Sequence, residues 1–155
     1  MKVLFVCLGN ICRSPTAEAV VRELARRDRP DLELEVDSAG THGYHTGSPP
    51  DERSIDAARR RGYDLASLRA RVVEAGDFGL FDLVVAMDEE VYGHLQRVAP
   101  RAPAARLVLF MEFAAGSDRR SVPDPYYGGA TGFEEVLDLV EEGARGLLDS
   151  LAARP

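Results

Sequence analysis

The feature that most constrains the fold is an apolar run that leads through a short loop into a helix start. Residues 3–7 (Val-Leu-Phe-Val-Cys) include no polar or charged side chain, as expected of a strand buried on both faces of a sheet. After the loop, Ser14-Pro15 predicts a helix start, with Ser14 as the cap and Pro15 at the first helical position. Cys7 is therefore expected where a buried strand ends, close to the N-terminus of a helix.

Strand and helix patterns alternate along the rest of the chain. Further strands are predicted at residues 32–36, 83–87 and 106–110, and helices at about 15–27, 51–61 and 88–98. A last helix is predicted from the capping box of Thr131 and Glu134. This alternation favours an α/β fold: one domain (1–155), a three-layer sandwich with a four-stranded parallel sheet and helices on both faces. Ligands of such sheets bind beyond the C-terminal ends of the strands, where Cys7 lies.

The loop from Cys7 to Arg13 has the composition of a phosphate cradle. Inward-facing backbone N–H groups form an anion nest, and the following helix adds the positive end of its dipole. Gly9 and Asn10 tolerate the left-handed backbone that a nest requires, and the planar guanidinium of Arg13 can hold two phosphate oxygens. The same field favours a thiolate on Cys7, to which Ser14 is placed to donate a hydrogen bond. We therefore predict a cysteine nucleophile at the floor of a phosphate-binding loop.

A second candidate site element precedes the last helix. Asp124 lies between two prolines and is followed by Tyr126 and Tyr127. Asp-Pro is common in turns, but beside a phosphate cradle we favour a general-acid role for this carboxyl group. Tyr126, Tyr127 and Tyr44 are either ordinary surface aromatics or a rim that stacks on an aryl substrate, and we favour the rim.

These motifs resemble those of one protein family. The run Cys7-Leu8-Gly9-Asn10-Ile11-Cys12-Arg13-Ser14 resembles the signature loop of the low-molecular-weight protein tyrosine phosphatases, and Asp124-Pro125-Tyr126-Tyr127 resembles their general-acid loop. Residues 37–41 and 86–89 are also similar to family segments, in the expected order. The resemblance thus extends over nearly the whole chain.

The resemblance implies a phosphomonoester hydrolase that acts on phosphotyrosine in proteins or on related aryl phosphates. By position, Cys7 would be the phosphoenzyme nucleophile, Arg13 the phosphate ligand and Asp124 the proton donor to the leaving oxygen. The residues expected to bind substrate or hold the loop are Leu8, Gly9, Asn10, Ile11, Cys12, Ser14, Tyr44, Tyr126 and Tyr127. One departure is Leu68, which stands where many family members carry a histidine that supports the loop asparagine.

Composition limits the partners. The net charge of −7 argues against nucleic acid, and no apolar run is long enough for a signal peptide or a membrane span. Two cysteines do not make a secreted disulfide framework, and the three histidines have no metal-ligand spacing. We therefore expect a cytoplasmic enzyme, a monomer, with no metal or other cofactor and with inorganic phosphate as its product.

Several alternatives stay open at this point. Cys12 is either a core cysteine or the partner of Cys7 in a reversible disulfide that protects the nucleophile from irreversible oxidation. A protein-arginine phosphatase has a similar loop that tends to carry threonine where Ile11 stands, so Ile11 favours tyrosine. A thioredoxin-coupled arsenate reductase would need relay cysteines after Cys12, and the chain has none. A phosphate-binding module without activity would not need Asp124.

Overall fold

The sheet consists of four parallel strands in the computed structural model, which describes residues 1–153. The strands are β1 (Lys2–Cys7), β2 (Glu35–Gly40), β3 (Leu83–Ala86) and β4 (Arg106–Leu109), in the spatial order β2-β1-β3-β4. The α-helices are α1 (Arg13–Asp28), α2 (Glu52–Arg59), the single turn α3 (Asp77–Leu80), α4 (Glu89–Val98) and α5 (Ala130–Ala152). Short 3-10 turns lie at Pro30–Leu32 and Phe110–Phe113.

The central strand β1 divides the core into two layers, because successive side chains of a strand point to opposite faces of the sheet. Val3, Phe5 and Cys7 pack with α1, α2 and α5, whereas Leu4 and Val6 pack with α3 and α4. All five residues are buried. The predicted three-layer α/β sandwich is therefore confirmed. Within residues 1–153, none of the helices combines the length and the apolar character that a membrane crossing needs.

Strand β2 lies three residues later than predicted. The expected range was 32–36, but Pro30–Leu32 forms a 3-10 turn and the strand runs over Glu35–Gly40. The apolar residues of the predicted range, Leu32, Leu34 and Val36, are partly buried against the core. Of these three, only Val36 pairs with β1. The difference matters for the site, because the last residue of the strand, Gly40, pairs with Cys7.

Helix α5 supplies the longest apolar face of the core. Its apolar residues at helical spacing are buried: Phe133, Val136, Leu137, Val140, Ala144, Leu147, Leu148 and Leu151. The predicted capping box is wrong, because the helix begins at Ala130 after Gly129 and no side chain caps it. Glu134 instead pairs with Arg60 and Arg61, so it ties the end of α2 to α5.

The other predicted elements begin and end within about two residues of their observed bounds. Asp51 and Asp88 cap α2 and α4, each through a side-chain oxygen that accepts a backbone N–H bond. Helix α3 escaped prediction because four residues are too few to show a helical period.

Candidate active site

The carboxyl end of β1 brings Cys7 to the floor of a cavity at the C-terminal edge of the sheet. Ten of the twelve predicted site residues line this cavity: Cys7, Leu8, Gly9, Ile11, Cys12, Arg13, Tyr44, Asp124, Tyr126 and Tyr127. The other two, Asn10 and Ser14, are buried behind the loop. Cys7 is only 2% exposed, whereas Tyr44 and Tyr127 are 82% and 94% exposed. The cavity thus has a recessed floor and an aromatic edge.

The loop after Cys7 keeps its backbone donors free. Within residues 1–153, no backbone N–H group of residues 8–12 donates to a backbone carbonyl. The loop carbonyls, in contrast, accept bonds from flanking N–H groups, and the pairs are Cys7 with Thr41, Leu8 with His42 and Ile11 with Asp51. A loop whose carbonyls are engaged and whose N–H groups are free has the hydrogen-bonding pattern of an anion nest.

Asn10 holds the loop from behind. Its φ of 58° is left-handed, a conformation that asparagine tolerates better than most residues. Its Nδ2 donates to Ser14 Oγ (2.9 Å) and Ser38 Oγ (3.0 Å), and its Oδ1 accepts from the Arg71 N–H (3.0 Å). Both ends of the amide are therefore fixed. Gly9, which also tolerates the left-handed conformation, does not adopt it, since its φ is not positive.

The departure at Leu68 leaves the loop asparagine supported. Leu68 is partly buried against the core, and the Arg71 backbone N–H occupies Asn10 Oδ1. The Arg71 guanidinium in turn pairs with Asp37 and Asp77, each at 3.2 Å, which anchors this backbone segment. In this chain the Arg71 backbone N–H supports Asn10, a role that the resemblance assigns to a histidine side chain in many family members.

Ser14 contacts Cys7 and does not cap the helix. Helix α1 begins at Arg13 without a side-chain cap, so the predicted capping role is wrong. Ser14 Oγ instead lies 3.0 Å from Cys7 Sγ and accepts a bond from Asn10. Its single proton can go to the sulfur or, at 3.3 Å, to the Ala39 carbonyl. An ionised Cys7 is the stronger acceptor, because bonds to charged groups are stronger than neutral ones.

Arg13 is held rigidly beneath the cavity. The side chain is buried. Its Nη1 pairs with Asp88 and also donates to the Val122 carbonyl at 3.1 Å. Its Nη2 lies 3.7 Å from Asp124 Oδ2. Burial alone would lower the pKa of Arg13, but Cys7, Asp88 and Asp124 together raise it, so the guanidinium stays charged. One end of the fork is thereby fixed and the other faces the cavity.

Asp124 uses its two carboxylate oxygens differently. Oδ1 accepts the Tyr126 backbone N–H at 3.1 Å, which is the turn geometry expected of Asp-Pro. Oδ2 faces Arg13. The turn role and the general-acid role are therefore compatible, because each uses a separate oxygen.

The two cysteines differ in environment. Both are free thiols, and both are buried. Burial raises the pKa of Cys12 to about 12, and the nearby Asp51 and Cys7 act in the same direction. A hydrogen bond with Ser54 opposes this rise but does not cancel it. Cys12 is therefore a neutral thiol near neutral pH and a weak nucleophile. Its part in a protective disulfide stays a prediction.

Three residues near the site escaped prediction. Asp88 was predicted only at the start of a helix, yet its Oδ2 binds Arg13. A Cβ atom on Gly40 would lie 2.8 Å from the Leu8 carbonyl oxygen, so only glycine lets β2 approach the loop this closely. His45 lines the cavity beside Gly9 and Tyr126. The sequence offered one signal for each: Gly40 and Asp88 lie shortly after the ends of predicted strands, and His45 follows Tyr44.

The chain is similar to known proteins over nearly its whole length. Residues 2–154 match the family described as low molecular weight phosphotyrosine protein phosphatase. The low molecular weight protein-tyrosine-phosphatase YfkJ of Bacillus subtilis is 42% identical over 151 residues, which cover 97% of this chain and 96% of YfkJ.

Solved structures of other proteins have closely similar folds. The protein tyrosine phosphatase of Entamoeba histolytica, crystallised with Hepes in the active site, has a TM-score of 0.93 at 39% identity, covering 98% of this chain and 97% of its own. A Drosophila arginine phosphatase has the same TM-score at 30% identity over 100% of both chains.

The fold and the loop define a parallel α/β protein with a loop of free backbone N–H groups at the end of its first strand. Within that class, the chain belongs to the low-molecular-weight protein tyrosine phosphatase family.

Proposed function

We propose that the protein is a phosphomonoester hydrolase that removes phosphate from phosphotyrosine in proteins, or from related aryl phosphates, through a cysteinyl-phosphate intermediate. One observation carries the proposal: Cys7, Arg13 and Asp124 meet at one cavity although 117 residues separate the first from the last. Membership in the family supports it.

In the first step, the Cys7 thiolate attacks phosphorus; the phosphorus–sulfur bond forms as the bond to the aryl oxygen breaks. The free loop N–H groups and Nη2 of Arg13 bind the non-bridging oxygens, whose charge they stabilise in the transition state. Protonated Asp124 gives its proton to the departing oxygen. Ser14 donates to the sulfur and helps to keep it ionised before the attack.

In the second step, water attacks the phosphorus and Cys7 leaves as a thiolate. Asp124, now ionised, takes a proton from that water, and inorganic phosphate is released. A general acid of this kind contributes about 10² to 10⁴ in rate, or roughly 3–5 kcal/mol of barrier. The remaining acceleration comes from positioning the nucleophile and from the donors of the loop.

The walls of the cavity favour a long, flat substrate side chain. Because Cys7 is recessed, a phosphotyrosine reaches it more readily than the shorter phosphoserine. Ile11 contributes an apolar wall, and the rings of Tyr126 and Tyr127 pack edge to face at 4.9 Å near the mouth. Such surfaces suit an aromatic ring.

A protein-arginine phosphatase is the second candidate, because the Drosophila arginine phosphatase shares the whole fold. A phosphoguanidinium would place polar N–H groups against the apolar Ile11 wall, where they lack partners. This cost favours phosphotyrosine.

A panel of one peptide carrying phosphotyrosine, phosphoserine or phosphoarginine tests the proposal. We expect the highest kcat/KM for phosphotyrosine, by at least about tenfold, because the rivals lose ring contacts or leave polar groups unpaired. Phosphate release gives the rates. Fastest release from phosphoarginine would favour the second candidate, and no release from any peptide would indicate a binding module.

We further propose that the enzyme works in the cytoplasm as a single-domain monomer without a cofactor. Two free thiols, one of them the proposed nucleophile, suit a reducing compartment. The net charge of −7 makes nucleic acid an unfavourable partner.

A further inference from the structure

Arg53, in the first turn of α2, lies between the two loops of the site. Its Nε and Nη2 bind the two carboxylate oxygens of Asp51 at 3.0 and 2.9 Å, a bidentate pair. Asp51 also donates its backbone N–H to the Ile11 carbonyl at 2.8 Å. One side of the guanidinium is thus tied to the phosphate-binding loop.

The other side of Arg53 holds the loop that carries Asp124. Nη2 donates to the Tyr126 carbonyl at 2.9 Å, and Nη1 reaches the Gly128 carbonyl at 3.5 Å. The guanidinium carbon also lies 5.6 Å from the ring centre of Tyr126 and 4.6 Å from that of Phe133, within range of cation–π attraction.

Apart from Arg53, few polar groups of other elements contact this loop, and one of them is Arg13, 3.7 Å from Asp124. Among residues 1–153, the hydrogen bonds that join residues 124–128 to another element all come from Arg53. The bonds of Tyr126 to Asp124 and of Gly128 to Pro125 stay within the loop. The guanidinium serves Asp51 and the loop carbonyls at once through donors held in a fixed planar fork, a geometry that an ammonium group lacks.

We propose that Arg53 is a positioning residue for the general acid: together with Asp51 it fixes the Asp124 loop against the phosphate-binding loop. The inference rests on the proposed function. Proton transfer requires Asp124 Oδ2 within hydrogen-bonding reach of the leaving oxygen, and a displacement of 1 Å can cost about 10² in rate. Arg53 itself touches no reacting atom.

Arg53→Met tests this, because methionine keeps an apolar stem over Phe133 and removes every donor. Single-turnover rates are measured with phenyl phosphate, whose leaving group needs a proton, and with 4-nitrophenyl phosphate, whose leaving group departs largely as the anion. We expect a loss of about tenfold or more with the former and under about threefold with the latter, and inhibition by inorganic phosphate should hardly change.

Arg59→Met is the matched control. Arg59 lies on the same helix, is paired with Asp56 at 3.5 Å and is mostly exposed. Both rates should stay at the wild-type level. Arg53→Lys, which keeps the charge without the fork, should show the same selective loss and serves if the methionine variant folds poorly.

A double mutant separates positioning from general destabilisation. In an Asp124→Asn background, Arg53→Met should cause no further selective loss with phenyl phosphate, because Arg53 acts through Asp124. Equal losses on both esters, no loss on either, or a full additional selective loss in the double mutant would overturn the positioning role. A wild-type protein that hydrolyses neither ester would instead contradict the proposed function itself.

Discussion

Replacing Cys7 with serine should abolish turnover while inorganic phosphate still binds. A serine hydroxyl is a far weaker nucleophile than a thiolate, and its neighbour Ser14 is no base that could activate it. We expect kcat on phosphotyrosine peptide to fall by a factor on the order of 10⁴ or more. The affinity for phosphate, measured by calorimetry, should change little because Arg13 and the loop amides are intact.

Thermal unfolding of the same Cys7→Ser preparation provides the control, since an intact fold is needed for the comparison. Turnover within about tenfold of the wild type would show that another group attacks phosphorus. Loss of phosphate binding in a folded variant would show that the cradle depends on the sulfur.

Removing the acid at Asp124 should slow the first chemical step most when the leaving oxygen is basic. A phenol with a pKa near 10 leaves poorly without a proton, whereas a nitrophenol is much more acidic. We expect a loss of about 10² to 10⁴ with phenyl phosphate and a far smaller loss with 4-nitrophenyl phosphate. Single-turnover rates isolate this step from hydrolysis of the intermediate.

The structure indicates which variant to use. Asp124→Asn keeps an oxygen that can accept the Tyr126 N–H, so it preserves the turn and removes only the acid. Asp124→Ala removes both, and the difference between the two variants measures the contribution of the turn. Equal losses on both esters with Asp124→Asn would make Asp124 a structural residue and place the general acid elsewhere.

The parts of the site predicted from sequence are local in the chain. The strand, loop and helix around Cys7 occupy consecutive residues, so apolar patterning and the spacing of Cys7 and Arg13 suffice to place Cys7 at a strand end beside a loop that leads into a helix. The left-handed conformation of Asn10 follows from the same local logic. Asp124 was assigned from the presence of the cysteine loop together with the resemblance, because its own sequence context indicates only a turn.

The parts that sequence did not predict depend on packing between distant segments. Asp88 binds Arg13 across 75 positions, and Arg53 reaches Tyr126 across 73. Ser14 matched the helix-cap pattern, but its hydroxyl instead contacts Cys7 Sγ and accepts a hydrogen bond from Asn10. Gly40 is required only because β2 meets the loop. The sequence prediction placed this strand at 32–36, three residues too early, so it did not bring Gly40 to the loop.

The most direct test of the account is to trap the phosphoenzyme. Wild-type protein is mixed with excess 4-nitrophenyl phosphate, quenched within the first turnovers and digested, and the peptides are analysed by mass spectrometry. The account predicts one phosphoryl group on the peptide that contains Cys7, attached through sulfur and absent from Cys7→Ser. Rapid turnover with the phosphoryl group on a different residue, or with no covalent intermediate at all, would contradict it.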